Sequence, residues 1–340
     1  PGNKSNSGKQ NIIALVSYKG DRFKEIMKKN YSIIVPVYNS EKTLFELAER
    51  IEKSLKPITN HFELILVNDC SQDNSWEVIS QLVGKKSWIV GINLKKNFGQ
   101  HNALLCGIRA ARYEYSVTMD DDLQHPPEEI HKLLTEMDNG NDVVYGIPKK
   151  LPHALWRNFS SKYTKLILAR AVGIPRIRNI SAFRAFKTSL RDSFVNFNSP
   201  DVFIDALLSW GTNHFGTIEV DEMPRIEGKS NYNLWKLAKM SFLILTGFST
   251  APLRFASIIG FSFTILGGIL FLYVLIRYAN EGSIPGFPFL ASAITIFSGT
   301  QLFALGIFGE YLGRIFERSS SRPPYIIEKI QCKDKSTYAD

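Results

Sequence analysis

The stretch "YSVTMDDDLQHPPEEI", residues 115–130, joins a strand, an acidic loop and a helix start. Its first residues form a short, partly β-branched run of the kind that builds buried strands. Its end, Pro126-Pro127 followed by Glu128 and Glu129, reads as a helix N-terminus. There a proline's missing N–H costs nothing, and acidic side chains meet the positive end of the dipole. Between the two stand Asp120, Asp121 and Asp122, carboxylates close enough to repel and to raise one another's pKa.

The same alternation extends outward. "YSIIVPVY" (31–38), "FELILVND" (62–69), "WIVGINL" (88–94) and "DVVYGI" (142–147) read as further strands. Helical patterns fill 41–55, where Leu44, Leu47, Ala48, Ile51 and Leu55 share a face, and also 71–83, 99–112 and 126–137. A β-α-β-α order predicts an α/β fold with a mostly parallel, Rossmann-like sheet and helices on both faces. Ligands then bind beyond the carboxyl ends of the strands, where "PVYNSE", "VNDCSQD", "LKKNFGQ" and "MDDDLQ" are all polar. The G-x-G-x-x-G fingerprint is absent, which removes the main support for a nicotinamide or flavin site. Residues 151–230 are less regular: a helix at 153–173, a short strand at 181–187, a helix at 201–211 and a strand-like run at 215–225.

The chain has 340 residues, 44% apolar and 21% charged, with a net charge of +9. That average hides a split. Residues 255–276 and 282–309 contain no Asp, Glu, Lys or Arg, and about 20 apolar residues suffice to cross a bilayer. Two spans are therefore expected, with a pair of buried core helices as the alternative. Lys229, Lys236, Lys239 and Arg254 precede the first span; Arg314, Arg318, Arg322 and Lys329 follow the second, and Arg277 is the cation between them. The positive-inside rule then puts both outer flanks, hence the soluble domain and both termini, on the cytoplasmic side of an inner membrane. Residues 233–249 read as an amphipathic helix in the membrane interface, or else an ordinary surface helix. The expected division is an N-terminal extension at 1–30, a catalytic domain at 31–230, an interface helix at 231–252, two spans at 253–313 and a cytoplasmic tail at 314–340. The chain begins with Pro1, and residues 1 to about 10 are set aside as a cloning remnant. The apolar run at 11–16 is too short for a signal peptide.

The cations gather near the spans rather than in a separate stripe, which disfavours nucleic acid and suits phosphates or an anionic membrane face. Cys70, Cys106 and Cys332 have neither C-x-x-C nor zinc spacing, consistent with a reducing compartment. "GEYLG" (309–313) has the small-residue spacing of helix–helix contacts, interrupted by Glu310, and is the only hint of a homo-oligomer.

A carboxylate cluster in the expected crevice suggests a hard divalent cation, Mg²⁺ or Mn²⁺, which would cancel the repulsion. If the strand continues to Asp120, then Asp120 and Asp122 point to one side and Asp121 to the other. Gln124 offers a further carbonyl oxygen. The bland alternative is an acidic helix cap. Such cations bind through one or two carboxylates plus substrate phosphates, so a nucleoside diphosphate is expected opposite the cluster, with Asp69 placed for a base or ribose.

"IIVPVYNSE", "LVNDCSQD", "KKNFGQHNALLCGI" and "MDDDLQHPPEEI", in this order, resemble glycosyltransferase family 2 in its polyprenyl-phosphate branch. "NISAFRAF", "EGKSNY", "TAPLRFAS" and "GEYLGRIFERSSSRPPY" extend the resemblance over roughly residues 31–330. Asn68 and Cys70 stand where the family often has Asp and Gly, and Asp121 where Ala is common. The resemblance implies a GT-A fold and a nucleotide-sugar donor, with UDP-glucose first and UDP-linked amino sugars next. It puts Pro36, Tyr38, Asn39 and Glu41 around base and ribose, with Asp69 on the base. Asn97 and Gly99 approach the donor, and Asp120, Asp122 and Gln124 match the metal positions. Ser181 and Arg184 match residues near the acceptor phosphate. Arg225, Lys229 and Ser230 match a segment that closes over phosphates, although attraction to anionic lipid would explain those cations too.

A polyprenyl phosphate acceptor is already anionic, its second pKa being about 6, and needs no strong base. The expected reaction is one in-line displacement with inversion at the anomeric carbon, helped by positioning and by charge on the leaving diphosphate. Asp205 is read either as a residue that orients the donor or as one facing solvent. Three competing readings remain: a processive polysaccharide synthase, a nucleotidyltransferase, and a non-catalytic membrane scaffold that keeps the fold. Two spans and the absence of Q-x-x-R-W disfavour the first.

Overall fold

The structure, a computed structural model, describes residues 29–59, 61–149, 181–223, 251–281, 286–319 and 322–333. It contains strands β1 (Tyr31–Val37), β2 (Phe62–Asn68), β3 (Ile89–Leu94), β4 (Tyr115–Thr118), β5 (Val143–Pro148), β6 (Arg184–Lys187), β7 (Phe215–Val220) and β8 (Ile327–Gln331). The helices are α1 (Leu44–Leu55), α2 (Ser75–Lys85), α3 (Gln100–Ala110), α4 (Ile130–Met137), α5 (Ile204–Gly211), α6 (Ala251–Glu281) and α7 (Phe287–Ser319).

One eight-stranded sheet runs β7-β5-β6-β4-β1-β2-β3-β8. β1 pairs in parallel with β2 and β4, β2 with β3, and β5 with β7. β6 enters antiparallel between β4 and β5. The fold is α/β and GT-A-like, with a mostly parallel central sheet. Every residue of β1 and of β2 is buried, as expected for strands covered on both faces. α1 buries Leu44, Leu47, Ala48, Ile51 and Leu55, the face its periodicity marks. Gly107 in α3 lies so close to the side chains of Ile34 and Val67 that a Cβ there would clash with Ile34, which lets the helix settle on β1 and β2. The chain leaves β1 toward β2 and β3 and returns to β4 on the opposite side. The carboxyl ends of β1 and β4 therefore flank a topological switch point.

After α7, β8 pairs antiparallel with β3 and closes that edge of the sheet, a strand the sequence reading did not mark. β4 ends at Thr118, although Met119 N still donates to Ile34 O, so the strand alternation does not reach the aspartates.

Among the described residues, α6 and α7 belong to a second compact unit. Within it, Phe263 of α6 meets Phe297 of α7 edge-on, ring centroids 6.1 Å apart. Among the described residues one window, Pro252–Ile269, is long and apolar enough to cross a membrane. The expected second span is a long helix here, and no window of α7 meets the same measure among those residues. The expected interface helix at 231–252 lies almost wholly outside the described residues.

Candidate active site

The loops after β1, β2, β3 and β4 meet in an open crevice of about 250 Å³, lined by Pro36, Val37, Tyr38, Asp69, Asn97, Gly99, Gln100 and Asp120–Asp122. Each of these loops turns on a residue with positive φ: Asn39 (56°), Cys70 (57°), Gly99 (96°) and Leu123 (58°). Three of the four are not glycine, and such backbone persists only where its surroundings hold it in place. The holding bonds are visible. Asn39 N donates to Ser71 Oγ at 3.0 Å, and Asn39 Oδ1 accepts from Gln72 N at 2.8 Å. Glu41 Oε2 accepts from Asn74 N at 3.0 Å and from its Nδ2 at 2.9 Å. Asp69 is 3% exposed, and its two oxygens accept from Phe98 N at 2.7 Å and Gly99 N at 2.8 Å. Burial raises the Asp69 pKa, and those two amides pull it back in part.

The three aspartates diverge. Asp120 Oδ1 accepts from Gln100 Nε2 at 2.7 Å. Asp122 Oδ1 accepts from Gln124 N at 3.1 Å. Asp121 turns to the β1 loop, where Oδ2 accepts from Tyr38 N at 3.1 Å and from the Ser40 hydroxyl, while its carbonyl accepts from Thr43 Oγ1 at 2.8 Å. Burial pushes the Asp121 pKa up to about 6; the Ser40 and Tyr38 bonds work against that, and the charges of Asp120 and Asp122 add to it. The repulsion is thus relieved by separation as well as by donors. Four carboxylates line the crevice, Asp69 and Asp121 engaged with backbone amides and Asp120 and Asp122 on the acidic loop, and among the described residues no group of three His, Cys, Asp or Glu could hold a metal. That donor set fits Mg²⁺ or Mn²⁺ completed by substrate phosphates, and does not fit a closed protein cage.

A family model described as "Glycosyl transferase family 2" matches residues 32–194. The "Undecaprenyl-phosphate 4-deoxy-4-formamido-L-arabinose transferase" of Shewanella sediminis is 34% identical over 303 residues, covering 88% of this chain and 92% of the relative. The protein of the same name from Pseudomonas savastanoi is 33% identical, covering 89% and 91%. The chain belongs to glycosyltransferase family 2. Among solved structures, glucosyl-3-phosphoglycerate synthase from Mycobacterium tuberculosis gives a TM-score of 0.48 at 16% identity, over 67% of this chain and 81% of that one. That likeness is too distant to bear on the chemistry.

For this glycosyltransferase, the residues singled out in the sequence fall into three places. Pro36, Tyr38, Asp69, Asn97, Gly99, Asp120, Asp121 and Asp122 share the crevice wall. Asn39 and Glu41 brace its loops, and Gln124 meets Asp122 through its backbone amide, not its side-chain carbonyl. Arg184 and Asp205 lie beneath, in a buried cluster. Both are 1% exposed; the Arg184 guanidinium pairs with Asp205, and its Nε donates to Thr118 Oγ1 at 3.0 Å. Tyr145 Oη donates to Asp205 Oδ1 at 2.8 Å. Burial lowers the Arg184 pKa, but the charge and hydrogen bond of Asp205, with Tyr145 and the charge of Asp120, together leave a net rise. Of the two readings of Asp205, this burial removes the one that faces solvent. The reason is mutual: two charges this deep survive by pairing. Ser181 Oγ accepts from Phe183 N at 3.2 Å. Arg225, Lys229 and Ser230 lie outside the described residues. Sequence reading missed Gln100 and Ser40. Both lie inside motifs quoted above, but nothing in linear sequence pairs residues 100 and 120, or 40 and 121.

Proposed function

We propose that this chain transfers a sugar from a nucleoside-diphosphate donor to a polyprenyl phosphate at the cytoplasmic face of a membrane, with inversion at the anomeric carbon. One observation carries the reading: relatives named undecaprenyl-phosphate 4-deoxy-4-formamido-L-arabinose transferases match over 88% of this chain and 92% of the relative. The crevice supports it. It is lined by Asp120 and Asp122 on one side and by residues of the β1 and β3 loops on the other, where a diphosphate would lie, with Tyr38 exposed beside the opening. Mg²⁺ or Mn²⁺ held by Asp120 and Asp122 would supply charge for the leaving diphosphate. Gln100 orients Asp120, Asp121 ties the acidic loop to Tyr38 and Ser40, and Asp69 fixes the Asn97–Gly99 loop. The acceptor phosphate attacks as an anion, so no side chain here has to remove a proton.

The sequence pointed first to UDP-glucose; the relatives' names, which print a 4-formamido sugar, favour the amino-sugar second choice for the sugar. α6 and α7 expose Phe255, Ile258, Phe261, Ile294, Leu302 and Phe316, among other apolar side chains, which supports a membrane hairpin. We take residues 31–230 as the catalytic domain, 231–252 as the interface helix, 253–313 as the spans and 314–340 as the cytoplasmic tail.

The test uses the full chain in detergent with undecaprenyl phosphate, a panel of labelled nucleotide sugars, and Mn²⁺ or Mg²⁺. A lipid-linked sugar and a free nucleoside diphosphate are the expected products. Release of pyrophosphate would indicate a nucleotidyltransferase, a growing polysaccharide would indicate a synthase, and no turnover with any donor would leave the scaffold reading.

A further inference from the structure

Four hydrogen bonds run in series from the crevice to the C-terminal strand. Asn39 N donates to Ser71 Oγ at 3.0 Å, Ser71 Oγ to Asn68 Oδ1 at 2.6 Å, Asn68 Nδ2 to Asn93 Oδ1 at 2.7 Å, and Asn93 Nδ2 to Glu328 Oε2 at 2.6 Å. The polarity of this relay is set from its far end. An ionised carboxylate only accepts, so Asn93 turns its NH₂ to Glu328 and its oxygen to Asn68. Asn68 must then donate to Asn93 and accept from Ser71, whose hydroxyl donates and whose oxygen is left for the Asn39 amide. Asn39 is the left-handed residue next to Tyr38 on the crevice wall.

A second link reaches the neighbouring loop. Lys95 N donates to Ile326 O at 2.9 Å, at the start of the 95–99 loop that carries Asn97 and Gly99. Asn102, 6% exposed, donates to Pro324 O at 2.5 Å, and Arg109 lies over the Tyr325 ring at 5.7 Å. The segment 324–328 thus holds both loops that brace the β1–β3 side of the crevice.

We propose that the C-terminal strand Ile327–Gln331, through Glu328 and the segment preceding it, is a positioning element of the donor site, so that nucleotide affinity depends on a side chain that does not touch the crevice. The proposal rests on the donor reading above. It accounts for a strand added to the sheet by residues that follow the second long helix, and for a polar side chain at Asn68, 2% exposed, where an apolar one would pack.

The experiment uses the full chain in detergent with UDP and Mn²⁺ as the probe. Glu328→Ala, Glu328→Gln, Asn93→Ala and the Glu328→Ala/Asn93→Ala pair are compared with Lys329→Ala on the same strand. Calorimetric UDP affinity is expected to weaken about three- to tenfold in Glu328→Ala and Asn93→Ala, with the pair no worse than the weaker single change, as for residues acting in one network. Glu328→Gln keeps the shape but frees the polarity, so it falls between. Lys329→Ala stays at wild type, the KM for polyprenyl phosphate does not move, and amide exchange at 68–73 and 94–100 speeds up with the loss of affinity. A Glu328→Ala protein with wild-type UDP affinity and exchange overturns the proposal, whether or not its melting temperature falls. If the wild type binds no UDP, the donor reading has failed separately, and amide exchange at those two segments alone decides whether the relay holds the loops.

Discussion

Asp205→Ala would break the buried cluster beneath the crevice. Arg184 and Asp205 are each 1% exposed, so no water stands ready to rehydrate a stranded guanidinium. The guanidinium keeps Thr118 Oγ1 at 3.0 Å, while the Tyr145 hydroxyl loses its acceptor at 2.8 Å. Breaking a buried pair from one side costs about 3–5 kcal/mol, and the orphaned hydroxyl about 1 kcal/mol more. At about 2–4 °C per kcal/mol for a unit of this size, the apparent Tm should fall by roughly 8–24 °C. Asp205→Asn leaves Tyr145 an acceptor and should cost less. Arg184→Met combined with Asp205→Leu removes both charges, and such replacements are often neutral or stabilising. Scanning fluorimetry of the full chain in detergent, alongside sugar transfer, reads both consequences. An Asp205→Ala protein that melts within about 2 °C of wild type would refute the buried pair as a stabilising feature. The apolar double variant separates two roles for Arg184. The geometry predicts that stability and most of the transfer activity return together; recovered stability without transfer would mean that Arg184 reaches a substrate.

Asp120→Asn should leave the melting temperature unchanged and lower transfer by about 100-fold or more; near-normal turnover at saturating Mn²⁺ would remove Asp120 from the site. Gly99→Ala places a side chain at φ +96°, where only glycine is comfortable. A cost of about 1–2 kcal/mol is expected, with weaker UDP binding, and an unaltered protein would count against the loop geometry. Burial lowers the His101 pKa from 6.5 to about 4; Asp205 nearby raises it a little and Arg184 lowers it. The unfolded chain therefore takes up a proton that the folded one refuses. The contribution is whole above pH 6.5 and is lost as pH falls toward about 4, at most about 3 kcal/mol. His101→Gln should flatten the Tm profile between those two pH values, and an unchanged slope would assign the acid sensitivity to other groups.

The amino-acid sequence by itself determined the α/β alternation, the four polar loops at the strand ends, and the acidic run among them. These are local matters. Apolar period sets strand or helix, proline and acidic residues mark a helix start, and a parallel sheet sends its ligand to one edge. The motif order was equally legible, because it lies along the chain. Tertiary structure alone decided where the aspartates point, since β4 ends at Thr118 and Asp121 finds its partners in Tyr38 and Ser40, more than 80 residues away. It also decided that Arg184 is held by Asp205, and that a tail with no strong period returns to the edge of β3. An edge strand is selected by the unpaired amides and carbonyls that await it, and a buried charge by the one partner close enough to neutralise it. Both depend on distances through space, which spacing along the chain does not contain.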